Sequence, residues 1–311
     1  MMNTPIIHIL LATYNGAKYL AEQLDSIARQ THTAWTLTVS DDGSTDDTLA
    51  IVTHFAKQVS QPITVLQGPN MGSSTRNFCY LIQHAPADHP QDLFAFCDQD
   101  DVWLDDKLQR AVQWHKQHAS QPVRLYCGRT QIVNEHLKPI GLSPGIQRPP
   151  SFGNALVQNI ASGNTMVMSH AVLMAQKKVL PEHSVWHDWT TYLVVTALGG
   201  LVCFDDQPSL LYRQHDGNVI GSNNNASVLL ESFKQSMLGR YQYRITCSLL
   251  ALEDLQINAK SSVLETTSVI ESIRACRNPL KRVTLLGTSS LRRQSFLSNT
   301  ALLIAALVGK L

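Results

Sequence analysis

The chain has 311 residues, a formal charge of +1 and 44% hydrophobic residues. That length supports a large core, and a charge near zero gives no support for bulk nucleic-acid binding. No run reaches the roughly 18 apolar residues that a bilayer span needs. Cys79, Cys97, Cys127, Cys203, Cys247 and Cys276 form no Cys-x-x-Cys pair. Several lie in apolar runs, which reads as free buried thiols in a reducing compartment. Ile6 to Ala12 is short and lacks a basic leader, so it is not read as a signal peptide.

In chain order, Pro5 to Ala12 reads as a buried strand. Thr13-Tyr14-Asn15-Gly16 is a turn, and Ala17 to Gln30 is a helix with Tyr19, Leu20, Leu24 and Ile27 on one face. Trp35 to Val39 is a second strand and Thr48 to Gln58 a second helix. Ile63 to Gln67 is a third strand, and Ser74 to His84 a third helix after the turn at Gly68-Pro69-Asn70-Met71-Gly72. Leu93 to Cys97 is a fourth strand, and a helix runs from beyond Trp103 to about His118. Such alternation predicts a parallel sheet with right-handed crossovers. Leu125 to Val133 reads as one strand, the Pro/Gly-rich Pro139 to Pro150 as a loop, and Ser151 to Gln158 as a short helix. Gly163-Asn164-Thr165 leads into a strand over Met166 to Met168, followed by a helix over His170 to Val179. Val185-Trp186-His187-Asp188-Trp189 opens a helix through Ala197 that Gly199-Gly200 closes. Strands follow at Leu201 to Phe204 and Leu210 to His215. The pattern changes near Asn223-Asn224-Asn225, which divides residues 1–221 from a helical region over 222–311. Its helices are expected over Val228 to Met237, Tyr241 to Ala259 and Ser262 to Arg274.

The acids carry the functional reading. Leu93 to Cys97 runs straight into Asp98-Gln99-Asp100-Asp101, and open α/β sheets bind ligands beyond the carboxyl ends of their strands. Asp98 and Asp100 are two apart, so on extended backbone they point the same way. There they suit one hard divalent cation shared with a diphosphate. Asp101 is read as a cap for the helix that starts near Asp105-Asp106-Lys107-Leu108. Asp41 and Asp42 also follow a strand. One of them suits ribose hydroxyls or a base edge, while an Asx-turn with Gly43 is the structural alternative, and Asp46 or Asp47 caps the next helix.

These residues resemble the family-two inverting glycosyltransferases of GT-A fold. The likeness covers roughly Ile6 to Gly221. It rests on Thr13-Tyr14-Asn15-Gly16, Asp41-Asp42-Gly43-Ser44-x-Asp46, Asn70-x-Gly72 with Asn77, and Asp98-Gln99-Asp100-Asp101. A narrower likeness, to bacterial rhamnosyltransferases of surface polysaccharide (O-antigen, cell envelope) synthesis, rests on three stretches. They are Cys97-Asp98-Gln99-Asp100-Asp101-Val102-Trp103, His187-Asp188-Trp189, and Tyr212-Arg213-Gln214-His215-x-x-Asn218-x-x-Gly221. The resemblance implies a Rossmann-like, mostly parallel sheet flanked by helices. It also implies a nucleotide-sugar donor such as dTDP-rhamnose or a UDP-hexose, a glycan or lipid-linked acceptor, and Mn2+ or Mg2+.

Carried onto this chain, the resemblance gives the nucleotide sugar to Thr13, Tyr14, Asn15, Asp41, Asp42, Asn70, Asn77, Asp98, Gln99 and Asp100. The metal goes to Asp98, Asp100 and His215, and the general base is Asp188. The acceptor or sugar pocket goes to Trp103, Gly163, Asn164, His187, Trp189, Arg213 and His215. Plain readings stand beside these: a helix-dipole charge for Asp188, core for Trp189, and an ion pair for Arg213. The competing classes are a nucleotide-sugar pyrophosphorylase, which needs an early Gly-rich basic loop absent here, and an inactive glycan-binding subunit. Finally, Arg274, Arg277, Lys281, Arg282, Arg292, Arg293 and Lys310 follow the last acid, Glu271, and flank the apolar Ala301 to Val308. That pattern fits peripheral contact of a cytoplasmic protein with anionic lipid on the inner membrane face, or else docking of the tail on the catalytic domain or pairing with another subunit.

Overall fold

A computed structural model of the chain describes residues 4–215, 240–256 and 261–311. The expected helix over Val228 to Met237, the Asn223-Asn224-Asn225 boundary and the stretch Asp216 to Gly221 lie outside those residues. The described chain forms two compact units. The first takes the residues up to 145, then 161–177 and 200–215; the second takes 146–160, 178–199 and the described residues from 240 onward. Two segments from the middle of the chain therefore belong with the C-terminal helices rather than with the sheet.

The first unit is built on a seven-stranded sheet. Its strands are β1 (Ile7–Thr13), β2 (Trp35–Asp41), β3 (Ile63–Gln67), β4 (Leu93–Cys97), β6 (Arg124–Gly128), β9 (Val167–Ser169) and β10 (Leu201–Asp205), in the order β10-β6-β9-β4-β1-β2-β3. β1 and β4 are buried along their whole length, as near-continuous apolar runs in a covered parallel sheet should be. β1 pairs in parallel with both β2 and β4. The chain thus builds outward from β1 through β2 to β3, then returns to lay β4 on the other side of β1. That reversal opens a crevice beyond the carboxyl ends of β1 and β4.

β9 runs antiparallel between β4 and β6. Its direction brings the 3-10 turn before it, Gly163–Thr165, to the same end of the sheet as the acids after β4. A second sheet, in the order β5-β11-β7-β8, contains β5 (Val102–Trp103), β7 (Gln131–Val133), β8 (Pro139–Leu142) and β11 (Leu210–Arg213). The stretch expected as one strand over Leu125 to Val133 is two strands in different sheets. Part of the expected Pro/Gly-rich loop is the exposed strand β8.

The helices of this unit are α1 (Leu20–Ala28), α2 (Thr48–Ala56), α3 (Ser74–His84), α4 (Lys107–Gln117) and α6 (His170–Gln176). The Ser73 side chain caps α3 by accepting from the Arg76 N–H, the standard way to satisfy a free helical donor.

The second unit is helical: α5 (Phe152–Ala155), α7 (His187–Ala197) and four helices over Arg240–Asp254, Ser261–Ala275, Pro279–Thr288 and Phe296–Leu307. α7 buries Trp189, Tyr192, Leu193, Val194, Val195 and Ala197, so it is the core helix of this unit. It ends before Gly199, whose φ of 67° lies in the left-handed region. The last two helices fall within the region expected to be helical, without having had bounds of their own. Leu286, Leu302, Ala305 and Ala306 are buried there. Among the described residues no helix is long and apolar enough to cross a membrane.

Candidate active site

The crevice at the sheet reversal is a cleft of about 540 Å³ lined by Asn15, Gly16, Lys18, Tyr19, Gln99, Asp100, Asn134, Glu135, His136, Gln214 and His215. All of these belong to the first unit. Their order in the chain shows how the cleft is assembled: the loop after β1, the loop after β4, the turn between β7 and β8, and the residues that follow β11.

Gln99 locks the first two loops together. Its Oε1 accepts from the Tyr14 N–H at 2.8 Å and its Nε2 donates to the Tyr14 carbonyl at 3.0 Å. A Cβ on Gly16 would come within 2.3 Å of the Gln99 Oε1, so glycine there permits this close approach. Asn15, at a φ of 46°, receives the Thr45 N–H on its Oδ1 at 2.9 Å and donates its own N–H to the Ser44 Oγ at 2.8 Å. The loop after β1 is thereby tied to the loop after β2.

The acids at the carboxyl end of β2 are buried and turned inward. Asp41 accepts from the hydroxyls of Thr13 at 2.9 Å and Ser44 at 2.6 Å and from the Ser44 N–H at 2.8 Å. Asp42 accepts from the backbone N–H groups of Met71 and Gly72 at 3.2 and 2.8 Å. Asn77 accepts from the Ser40 hydroxyl at 2.5 Å and donates to the carbonyls of Ser40 and Thr13 at 2.9 and 3.4 Å. In this structure these three side chains brace the loops. Asn70, at a φ of 57°, closes on Gly43, where an added Cβ would lie 2.0 Å from the Asn70 Oδ1.

Of the three acids after β4, Asp100 alone is among the residues that line the cleft. Asp100 Oδ2 lies 2.9 Å from His215 Nε2, and the His215 ring packs on Tyr19 with centroids 4.8 Å apart. Among the described residues no group of three or more His, Cys, Asp or Glu side chains converges on one point that would hold a metal. The pair Asp100 and His215 fits a divalent ion by donor chemistry, a carboxylate oxygen and an imidazole nitrogen. In this structure the two side chains hydrogen-bond to each other.

Asp101 is not a helix cap. It is fully buried, accepts from the Asn164 carboxamide and receives the Arg213 N–H at 3.4 Å. Burial, together with the charges of Asp100 and Asp98, pushes its carboxyl well above the usual carboxylate range. The Lys107 Nζ donates to the Asn164 carbonyl at 2.8 Å and lies over the Trp103 ring at 4.4 Å. Burial pulls Lys107 down to about 8. Of the expected pocket residues, Trp103 is 1% exposed and packs in the core, Gly163 is buried, and Asn164 is a buried support of Asp101.

Arg213, 2% exposed, proves to be a tie. Its Nε donates to the Asp100 carbonyl at 3.0 Å and its Nη1 to the Glu135 carbonyl at 2.6 Å. Its Nη2 pairs with Glu22, and its guanidinium lies 4.4 Å from the centre of the Tyr19 ring.

The expected base lies in the second unit. Asp188 is in the first turn of α7 and half-buried; its Oδ1 accepts from the Trp189 N–H at 2.6 Å. Burial pushes the neighbouring His187 down to about 3, so that imidazole is neutral. Trp189 is 7% exposed, stacks on Trp186 at 5.7 Å and donates its indole N–H to the Ala155 carbonyl. Arg244 covers the pair, 4.5 Å from Trp186 and 5.5 Å from Trp189.

A mixed sheet that reverses beside an acidic loop, with helices on its faces, is the architecture of the GT-A glycosyltransferases. The Glycosyl transferase family 2 model matches residues 8–183, more than half of the chain, and the chain belongs to that family. The dTDP-rhamnosyl transferase RfbG of Shigella flexneri is 29% identical over 226 residues, covering 68% of this chain and 74% of that protein. Among solved structures, S. aureus TarS superposes with a TM-score of 0.58 at 14% identity, covering 98% of this chain and 54% of that one. The TarS fragment 1–349 in complex with UDP-GlcNAc gives 0.57 at 14% identity, covering 98% and 90%. The Pyrobaculum calidifontis mannosyltransferase PcManGT in complex with GDP-Man and Mn2+ gives 0.52 at 15% identity, covering 99% and 86%.

Proposed function

We propose that this glycosyltransferase moves L-rhamnose from dTDP-rhamnose to a hydroxyl of a glycan or lipid-linked saccharide, with inversion at the anomeric carbon. The Asp100–His215 pair, facing a cleft formed by the loops after β1 and β4, is the observation that carries the donor site. The choice of sugar rests on the likeness to the Shigella rhamnosyl transferase, and the nucleotide-sugar complexes of the solved relatives support the donor class.

Asp100 and His215 would hold a divalent ion, with Asp98 at the same strand end. Bound there, it supplies positive charge that stabilises the departing diphosphate. Asn15 and Gly16 form the wall against which the nucleotide lies, in a turn that Gln99 keeps in shape. Buried Asp101, Asn164 and Arg213 hold the backbone of the acidic loop, so Asp100 is presented without reorganisation when the donor enters. Asp188 takes the proton from the acceptor hydroxyl. One base and one direct displacement invert the anomeric centre.

The protein meets its acceptor at the cytoplasmic membrane surface through the last two helices. Leu280, Phe296 and Leu297 are 74, 83 and 60% exposed there. Part of the basic character expected for this contact is used within the unit. Arg274 donates to the Leu311 carbonyl, Arg282 to that of Cys276, and Arg292 to those of Leu286, Leu291 and Gly287.

The test is transfer by the purified chain from dTDP-rhamnose and from a panel of UDP-hexoses, with and without Mn2+. Metal-dependent use of dTDP-rhamnose above the others supports the reading. Preference for a UDP-hexose rejects the sugar, and turnover indifferent to metal rejects the metal site.

A further inference from the structure

The cleft wall that faces the β1 loop is the tip of the β7–β8 turn, Asn134-Glu135-His136, which no motif singled out. The tip is held rigidly. The Asn134 Oδ1 accepts from the N–H groups of His136 and Lys138, both at 3.0 Å, so its carboxamide closes the turn. Leu137 takes a φ of 60° to complete it. One buried guanidinium, that of Arg213, then binds the Glu135 carbonyl through Nη1 and the Asp100 carbonyl through Nε. The tip is therefore fixed relative to Asp100 by backbone contacts, and the Glu135 side chain is left for other work.

With Asn134 used by the turn, the groups presented to the cleft are the Glu135 carboxylate and the His136 ring, 3.6 Å apart. Glu135 meets Lys18 at 3.4 Å, with the two side chains 49 and 69% exposed. Such an exposed pair contributes little and yields readily to a ligand. A carboxylate only accepts hydrogen bonds. It repels a diphosphate and suits a group rich in O–H donors. The sugar of a nucleotide sugar is such a group, and it is bonded directly to the diphosphate.

We propose that Glu135, assisted by His136, reads the hydroxyls of the donor sugar and is a specificity-determining residue of this transferase. The inference rests on the donor site assigned above. Glu135→Ala and Glu135→Gln leave the Arg213 ties in place, because those ties end on the Glu135 backbone.

The experiment is calorimetric binding of dTDP-rhamnose and of free dTDP, each with Mn2+, to the wild-type chain and both variants. Relative kcat/KM for two competing donors is measured alongside. Glu135→Ala is expected to weaken the nucleotide sugar about 10-fold while free dTDP changes by less than about 2-fold, the effect of losing one charged hydrogen-bond acceptor. The donor preference should narrow by a similar factor, with Glu135→Gln between the two. Equal weakening of sugar and free nucleotide, or no change in either, overturns the inference while the donor site stands. A wild-type chain that binds no nucleotide sugar overturns both.

Discussion

Gln99 grips the backbone of Tyr14 with both ends of its carboxamide, accepting the Tyr14 N–H and donating to the Tyr14 carbonyl. This joins the two loops that flank the sheet reversal across 85 residues of sequence. Gln99→Ala removes both bonds and is expected to lower stability by about 1–2 kcal/mol, and to weaken nucleotide binding because the cleft turn loosens. Gln99→Glu keeps the size and one acceptor but sets a carboxylate oxygen against the Tyr14 carbonyl, so it should fare no better. Urea unfolding and calorimetric titration with dTDP check both variants; wild-type behaviour of Gln99→Glu would show that the grip is incidental.

Acid should destabilise the fold through its buried histidines. Burial pushes both His115 and His187 down to about 3 from an ordinary value near 6.5. Between those limits the unfolded chain binds protons that the folded chain does not. Stability therefore rises with pH across that window and is lost on acidification, by up to about 1.4 kcal/mol per pH unit for each group. His115 contacts the Val167 carbonyl through Nε2 and accepts from Arg124 through Nδ1, two roles that a glutamine also fills. Urea midpoints of His115→Gln should fall less steeply than wild type between pH 6.5 and pH 4.5. Equal slopes would show that His115 does not contribute.

Asp188→Asn is nearly isosteric and retains an oxygen for the Trp189 N–H. It should reduce kcat by roughly 10²-fold or more, because the amide cannot take the acceptor proton. Donor affinity should remain. A near-normal kcat would assign the proton to another residue.

Membrane contact is best tested by surface substitution, since removing the last two helices would strip buried Leu286, Leu302, Ala305 and Ala306 from the second unit. The triple change Leu280→Ser, Phe296→Ser and Leu297→Ser alters exposed positions, so thermal stability should hold. Wild-type protein should float with anionic vesicles at low salt and release at high salt, and the variant should not float. Equal flotation of the two would leave these side chains without that role.

Much of the sheet was legible because β1, β2, β3 and β4 are short apolar runs bounded by turns, and their helices carry a clear apolar face. β5 was not, since two residues show no period. β6 and β7 merged because Gly128-Arg129-Thr130 carries the chain from one sheet to another without a strong turn signal. β8 was hidden by its proline and glycine. The acids after the strands were legible as a class, but composition does not reveal which way a carboxylate faces. Asp41, Asp42 and Asp101 turn inward onto hydroxyl, backbone and amide donors, whereas Asp100 faces the cleft. Arg213 and Glu22 are 191 residues apart, and no local spacing announces such a pair. Glu135 stands between the expected strand over Leu125 to Val133 and the expected loop from Pro139, in a stretch that carries no pattern of its own.

The central claim is that Asp100 and His215 form a metal-dependent diphosphate site, and calorimetric titration of dTDP tests it most directly. Wild-type protein should bind dTDP at least about 10-fold more tightly with Mn2+ than with EDTA. Asp100→Ala and His215→Ala should each remove most of that difference while thermal unfolding stays cooperative. The same gain from Mn2+ in wild type and both variants, or no gain in wild type, would contradict the assignment.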